Sequence, residues 1–316
     1  MHSFILNISW RKQRLIILAV FAALVMSVPG ASRGQAGPAQ NLEITPVKHE
    51  LTITPSPNAV LRDVAISNRN TKPTRLRVRF SNILPNGIEG EVKPVEEATP
   101  WDLRRFTRTL QEEITLAPGE TRKVAVAISV PPSTAPGGYY GVLRFTSLDA
   151  PPNQPVAIQG EIGALFLVRV PGPAEEKGAI KSFAVNRDDG RKLGFFSFDR
   201  QIRTQAIIAN SGNVHFPAKP EFSLKNVVMG STNKVAVEEN NVFPKGERRF
   251  ESGRQKVDIG FTKVTVDVGL PGGKQSQSQT ILVLPWLVLV IGLLSLAVLI
   301  AVVVYIRRLQ KRLNRP

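Results

Sequence analysis

Between residues 41 and 171, apolar and polar side chains alternate with a period of two. In the run 74–80, Leu76, Val78 and Phe80 interleave with Arg75, Arg77 and Arg79, the spacing of a strand with one buried and one wet face. Val124, Val126 and Ile128 repeat it against small partners. The runs LEITPV, HELTITPSP, VLRDVAISNRN, EEITLAPGE, YYGVLRFTS and EIGALFLVRVP are separated by Pro, Gly and Asn. Strand-length runs at intervals of about 8 to 12 residues predict a mainly β chain of antiparallel, immunoglobulin-like sandwiches. Helix is scarce. Thr99-Pro100-Trp101-Asp102, with Thr99 as cap, Pro100 at the first helical position and Asp102 completing a capping box, predicts one or two turns running to about Arg108.

The pattern changes at residues 281–306, a continuous uncharged apolar run. At ~1.5 Å per residue its 287–305 stretch reaches roughly 28 Å, the thickness of a bilayer's hydrocarbon core. This predicts a single C-terminal transmembrane helix over 283–306, bounded by the amphipathic rings of Trp286 and Tyr305, and then a basic tail, 307–316. Arg307, Arg308, Lys311, Arg312 and Arg315 place that tail in the cytoplasm and residues 37–280 outside, so the expected location is the cell membrane, single-pass. At the other end Arg11, Lys12 and Arg14 precede an apolar core of only 14 residues, 15–28, followed by small residues. This predicts a signal peptide, 1–36, with Ala36 or Gly30 as last residue. An uncleaved anchor would leave the middle of the chain outside as well.

A Pro, Gly and acid cluster at 171–176 separates a first sandwich domain, 41–172, from a second, 176–279. The second resembles a shortened copy of the first. Val64-Ala65-Ile66-Ser67-Asn68 has a counterpart in Ala206-Ile207-Ile208-Ala209-Asn210, and Leu116-Ala117-Pro118-Gly119-Glu120 in the run from Val242 to Glu247. From asparagine to proline the spacing is 50 residues in the first copy and 34 in the second. Phe195, Phe196, Phe198, Ile207 and Phe222 are the expected core contributors of the second domain.

Charge changes this picture little. Of 41 basic residues nine lie in the targeting segment and the tail, so the ectodomain carries 32 basic against 25 acidic groups, a net of +7. That suits an anionic envelope polymer and falls short of a nucleic-acid footprint. With no cysteine, thiol nucleophiles, disulfides and cysteine–metal sites are excluded.

The segments Leu51-Thr52-Ile53-Thr54-Pro55, Val64 to Asn68 and Leu116 to Glu120, and above all the V-P-x-x-x-A-P-G-G-Y-Y-G run from Val130 to Gly141, resemble the N-terminal domain of the WxL-interacting cell-surface proteins of Gram-positive bacteria. The likeness covers roughly residues 42–171. It implies a peptidoglycan-binding first domain and a protein-binding second one, and the layout of signal peptide, two β domains, one span and a basic tail is similar too.

Candidate binding residues follow from strand parity. If Leu143 and Phe145 face inward, Tyr139 does too, and Tyr140, Val142 and Arg144 lie on the opposite face. There Tyr140 would stack on a sugar ring and Arg144 pair with an anion. The alternative is that both tyrosines are packing residues with hydroxyls bonded to backbone. Arg75, Arg77 and Arg79 stand ~6 to 7 Å apart on one face, a spacing able to follow phosphates or carboxylates of a wall polymer. A solvated face neutralised by Glu89, Glu91 or Glu113 would read the same way. Trp101 is either a carbohydrate platform or a plug over the end of the sandwich.

No catalytic constellation emerges. Outside the targeting segment only His49 and His215 occur, one per domain, which leaves a metal site or a Ser-His relay without natural partners. No cofactor is expected. The function expected is a non-catalytic surface binding protein for cell-wall glycan or anionic wall polymer and for surface protein partners. The alternatives are a membrane-anchored chaperone of exported subunits, which calls for an open apolar edge strand in the first domain, or a passive structural subunit of an envelope complex.

Overall fold

The computed structural model describes residues 41–148 and 160–313; the segment assigned to a signal peptide lies outside them. The first sandwich is built from β1 (Leu42–Thr45), β2 (Lys48–Thr52), β3 (Val60–Asn68), β4 (Thr74–Asn86), β5 (Glu91–Val95), β6 (Thr107–Thr109), β7 (Glu113–Leu116), β8 (Thr121–Ile128), β9 (Gly137–Ser147) and β10 (Glu161–Val170). One sheet has the order β1-β3-β8-β6 and the other β2-β10-β9-β4-β5, with β7 paired to the start of β4. The alternation of residues 74–80 is realised: Leu76, Val78 and Phe80 face a core shared with Val64, Ile66, Val124, Val126, Leu143, Phe145 and Phe166, and the three arginines face out. Between β1 and β2 the chain crosses from one sheet to the other at Thr45-Pro46, a cis peptide, and β2 then runs parallel to β10.

The second sandwich contains β11 (Gly178–Arg187), β12 (Phe196–Ser197), β13 (Gln201–Asn210), β14 (Phe216–Ala218), β15 (Glu221–Asn226), β16 (Thr232–Ala236), β17 (Asn240–Val242), β18 (Glu247–Lys256), β19 (Gly260–Leu270) and β20 (Gly273–Val283). Its sheets have the orders β11-β13-β18 and β12-β20-β19-β15-β16, and β14 pairs with β17. The long edges β11 and β20 are stitched together by side chains. Gln275 accepts from the Ile180 N–H and donates to Gly178 O, Gln277 donates to Ile180 O, and Gln279 to Leu193 O. The alternation Gln275-Ser276-Gln277-Ser278-Gln279 thus turns amides toward the gap between the sheets and hydroxyls toward water, which satisfies edge groups that would otherwise invite a further strand.

The sequence repeat performs the same task twice. Asn68, fully buried at the end of β3, donates through Nδ2 to Lys72 O, Leu116 O and Ala117 O, while its Oδ1 accepts from the Asn70 N–H. Asn210, at the end of β13, donates to Val214 O and Val242 O and accepts from the Gly212 N–H. Each asparagine ties a strand end to the distant proline turn of its own sandwich. In the first copy Gly119 takes the left-handed backbone of that turn at φ 75°, and in the second Lys245 takes it at φ 55°.

Three expectations are corrected. Residues 99–103 form no helix; a single 3-10 turn spans Arg104–Phe106 with Leu103, not Thr99, at its N-cap position and no side-chain cap, and Asp102 accepts from the Arg105 N–H. The reason is that Asp102 forms a β-bridge with Tyr140, whose N–H donates to Trp101 O, so these carbonyl and amide groups are engaged outside any helix. Phe222 is buried, but Phe195, Phe196 and Phe198 are 50, 53 and 52% exposed and Ile207 lies on the half-exposed face of β13. The apolar run 281–306 also divides: Ile281 and Val283 are buried core residues of the second sandwich, and the helix α1 (Trp286–Leu313) starts after Pro285. Its stretch Trp286–Gln310 is long and apolar enough to cross a membrane.

Candidate functional site

The outer face of the β2-β10-β9-β4 sheet carries every residue singled out in the sequence except Trp101, which packs beside it. Two-residue alternation puts Ile83, Ser81, Arg79, Arg77 and Arg75 on the same face as Tyr140, Val142 and Arg144 of β9 and Leu165 and Leu167 of β10. The face is graded. Its apolar end, Ile83, Tyr140, Val142 and Leu167, is covered by Phe243 of the second sandwich, whereas its other end is a field of guanidinium groups.

At the covered end, Tyr140 is 1% exposed and serves as the pivot between the sandwiches. Its hydroxyl accepts from the His215 backbone N–H at 2.7 Å and lies 3.0 Å from His215 Nδ1. Phe243 meets its ring edge-on at 5.4 Å. His215 Nε2 is 2.9 Å from Glu50 Oε1. The set is satisfied when His215 is neutral with its proton on Nε2: Nε2–H donates to Glu50, and the tyrosine hydroxyl donates to Nδ1. Further ties are Gly138 N–H to Asn213 O, Arg249 N–H to Ile88 O, and an ion pair between Arg249 and Glu89. Of the two readings of Tyr140, the structure shows the packing one; the side chain is not presented to solvent. No sequence spacing links Tyr140 with His215, Glu50 and Phe243, and the only hint was that each domain holds a single histidine.

Titration at this joint has a defined sign. Burial pushes the His215 imidazole below its usual value, against the raising influence of Glu50, with Lys48 and Arg169 lowering it further. Burial pushes the Glu50 carboxyl up, but hydrogen bonds from His215 and Lys48 and the charges of both bring it down to about 2. The unfolded chain therefore takes up the histidine proton first. Stability contributed by His215 is complete above about pH 6.5 and lost as pH falls below it, and that from Glu50 is lost below about pH 4.5. His49, lowered by burial and by Arg62, adds to the first window. The urea midpoint is expected to fall between pH 7.5 and 5.5, with a smaller fall in His215→Gln; an equal fall in both would show that the joint does not titrate.

At the open end, Arg144 is only partly exposed, because its guanidinium bonds to Ser81 Oγ at 3.0 Å and pairs with Glu96 and Glu161. Arg79 stands directly opposite Arg144 in register, a like-charged pair that those two acids relieve. Arg77 reaches Glu113 at 3.6 Å and Arg104 reaches Glu96 at 3.0 Å. With Arg79 and Arg108 they line an open groove of about 810 Å³ that also contains Glu112. Four arginines against three glutamates leave this groove nearly neutral; among the described residues Arg79 and Arg108 have no acid partner. Arg75 continues the ladder beyond it. Trp101 is half-buried, its ring 6.4 Å from that of Tyr140.

A second feature lies at the edge of the same sheet. Ser147 N–H donates to Gly160 O, and Leu165 N–H to Val47 O, so even-numbered residues of β10 bond to β9 and odd-numbered ones point the other way. β2 begins to cover that side only at Leu165, because the preceding chain, β1, belongs to the other sheet. Among the described residues, no strand pairs with Glu161 and Gly163 on that side, although β1 runs close to β10. Ile162, half-buried beside the core, and buried Ala164 point inward next to this gap.

No family model matches the chain, and neither does any curated protein, so the resemblance of residues 42–171 to WxL-interacting proteins stands on its motif alone. Among solved structures it is similar to a chaperone–tip adhesin complex of CFA/I fimbriae (15% identity, 78% of this chain and 99% of the other, TM-score 0.38). A CsuC–CsuE chaperone and tip adhesion subunit pre-assembly complex of Acinetobacter baumannii Csu pili gives 12%, 76%, 97% and 0.36. The CupB2 chaperone of Pseudomonas aeruginosa gives 11%, 73%, 97% and 0.33. Superpositions at such scores carry no weight on function, and the fold of two immunoglobulin-like β-sandwiches followed by one apolar helix is established by the strand pairing described above.

Proposed function

We propose that the chain is a non-catalytic, membrane-attached binding protein whose first sandwich receives an extended segment of a surface protein along the edge of β10 that no described strand pairs with. The observation that carries this reading is the pair of outward N–H and C=O groups at Glu161 and Gly163, with apolar side chains on the inward positions between and beside them. This is the arrangement that strand addition requires: main-chain bonds supply affinity, and the sheet's alternation sorts the guest's side chains. Holding an exported subunit in this way is a chaperone's task. In this reading the apolar part of α1 spans the cell membrane, the basic residues at its C-terminal end (Arg307, Arg308, Lys311 and Arg312) lie in the cytoplasm, and both sandwiches face outward.

The test uses the position of Glu161. Its N–H faces the gap, so Glu161→Pro deletes an edge donor without removing a bond of the sheet, whereas Glu161→Gln keeps the donor. A photo-reactive residue in place of Leu148, together with each variant in cells, is expected to give adducts with exported surface proteins in the wild-type and Gln backgrounds and to lose them with Pro. Equal adduct yield in all three would end the strand-addition reading.

A second reading, recognition of anionic wall polymer, is favoured by the guanidinium groups of Arg79 and Arg108 in the groove, which have no acid partner among the described residues. It expects the full-length protein to sediment with wall sacculi at low salt, and Arg79→Gln/Arg108→Gln to abolish this. Soluble behaviour with sacculi in either form would remove it.

A further inference from the structure

We infer that the α1-proximal end of the second sandwich is a lipid-contacting surface that rests in the headgroup layer of the same bilayer α1 enters. This rests on the reading of α1 as a membrane span and goes beyond the proposed binding function. The surface consists of Phe195, Phe196 and Phe261 with the loop Val227-Val228-Met229. Phe261 is 43% exposed, and the three loop residues are 61, 74 and 67% exposed. The rings form one patch, with centroids 5.0 Å apart for Phe195 and Phe196 and 6.2 Å for Phe195 and Phe261.

The exposure is built into the fold. Asn226 Oδ1 accepts from the N–H groups of Val228 and Met229 while its Nδ2 donates to Ile259 O, and the Val227 N–H donates to Phe261 O at 2.7 Å. A loop tip fixed by a buried asparagine holds three apolar side chains outward, where water gives them nothing.

The occupant is identified by chain continuity. Leu282 N–H donates to Phe195 O and Leu284 N–H to Ser197 O, at 2.7 and 2.8 Å, so the strand carrying the phenylalanines is bonded to the last residues before the helix. From Leu284 to Trp286 is two residues, at most ~7 Å of fully extended chain. With Trp286 at the interface, the phenylalanine strand cannot stand clear of the membrane, and interfacial side chains sink ~5–10 Å into the headgroup boundary. One step farther from the helix on the same face, Lys225 and Lys263 are register partners, both exposed and without an acid partner among the described residues. Aromatic and aliphatic residues at the tip with lysines behind them suit an anionic headgroup layer.

The chain has no cysteine, so single labels are unambiguous. Phe196→Cys, Val228→Cys, Ser276→Cys (exposed, on β20 away from α1) and Ser295→Cys (within α1) are each labelled with an environment-sensitive fluorophore in the full chain. The proteins are reconstituted in phosphatidylcholine–phosphatidylglycerol vesicles. Labels at 196 and 228 are expected to be quenched several-fold more by a shallow nitroxide lipid than the label at 276, and less by aqueous iodide. If 196 and 228 behave like 276 while 295 is quenched by lipid, the inference is overturned and the span stands. If 295 is not quenched by lipid, the span falls and the inference with it. Shielding of 196 and 228 from both quenchers would mean that protein covers the patch, which also overturns it.

Discussion

Tyr140→Ala is expected to lower the stability of the two-sandwich unit by about 3–5 kcal/mol, the range for removing a fully buried aromatic side chain. The effect combines two losses. The ring fills the joint against Phe243 and His215, and the hydroxyl is the acceptor of the His215 backbone N–H and a partner of its Nδ1. Tyr140→Phe separates them: it keeps the ring and leaves a buried N–H without an acceptor, a cost of about 1–3 kcal/mol. Because the contact joins the two sandwiches, the Ala variant should also be cut faster by protease in the 171–177 connection. Urea unfolding and limited proteolysis read both effects; a Tyr140→Ala protein with wild-type midpoint and cleavage rate would show that the sandwiches do not depend on this joint.

Asn68→Ala is expected to cost about 3 kcal/mol, since the buried Leu116 O and the part-buried Ala117 O lose their donor at once and the Asn70 N–H loses its acceptor. Asn210→Ala removes the equivalent bonds to Val214 O and Val242 O and is expected to cost a similar amount in the second sandwich. Asn68→Asp tests the mechanism: a carboxylate keeps the shape but offers no donor to carbonyl oxygens, so it should be at least as damaging as alanine. The midpoint of thermal or urea unfolding decides. A near-neutral Asn68→Ala would mean that water reaches those carbonyls and that the recurrent asparagine is incidental.

The two asparagines show what can be read from the chain itself. Their recurrence before a polar turn, each with a distant proline turn to match, was visible as a repeat, because a strand end and a turn that must meet leave the same residue types in both copies. Strand parity likewise placed Tyr140, Val142 and Arg144 on one face and Tyr139 on the other, since side-chain direction in a strand is a local property. What covers that face was not legible. Whether an outward tyrosine meets solvent or a second domain depends on how His215, 75 residues later, is brought to it.

The phenylalanines near residue 196 illustrate the opposite failure. Hydrophobicity assigned them to a core, but β12 is a two-residue strand added to the end of β20, and the inward side of this corner is already filled by Leu193, Ile281 and Val283. Their exposure follows from pairing with the end of β20, which neither spacing nor composition reports.

Local physics acts on neighbours, and so the sequence by itself determined the β periodicity, the sheet faces, the apolar helix near the C-terminus and the lack of thiol chemistry. Which face is buried between sandwiches, which edge groups of β10 have no partner strand among the described residues and which apolar residues face outward near the start of α1 were decided only by the tertiary structure, because each depends on contacts between segments far apart in the chain.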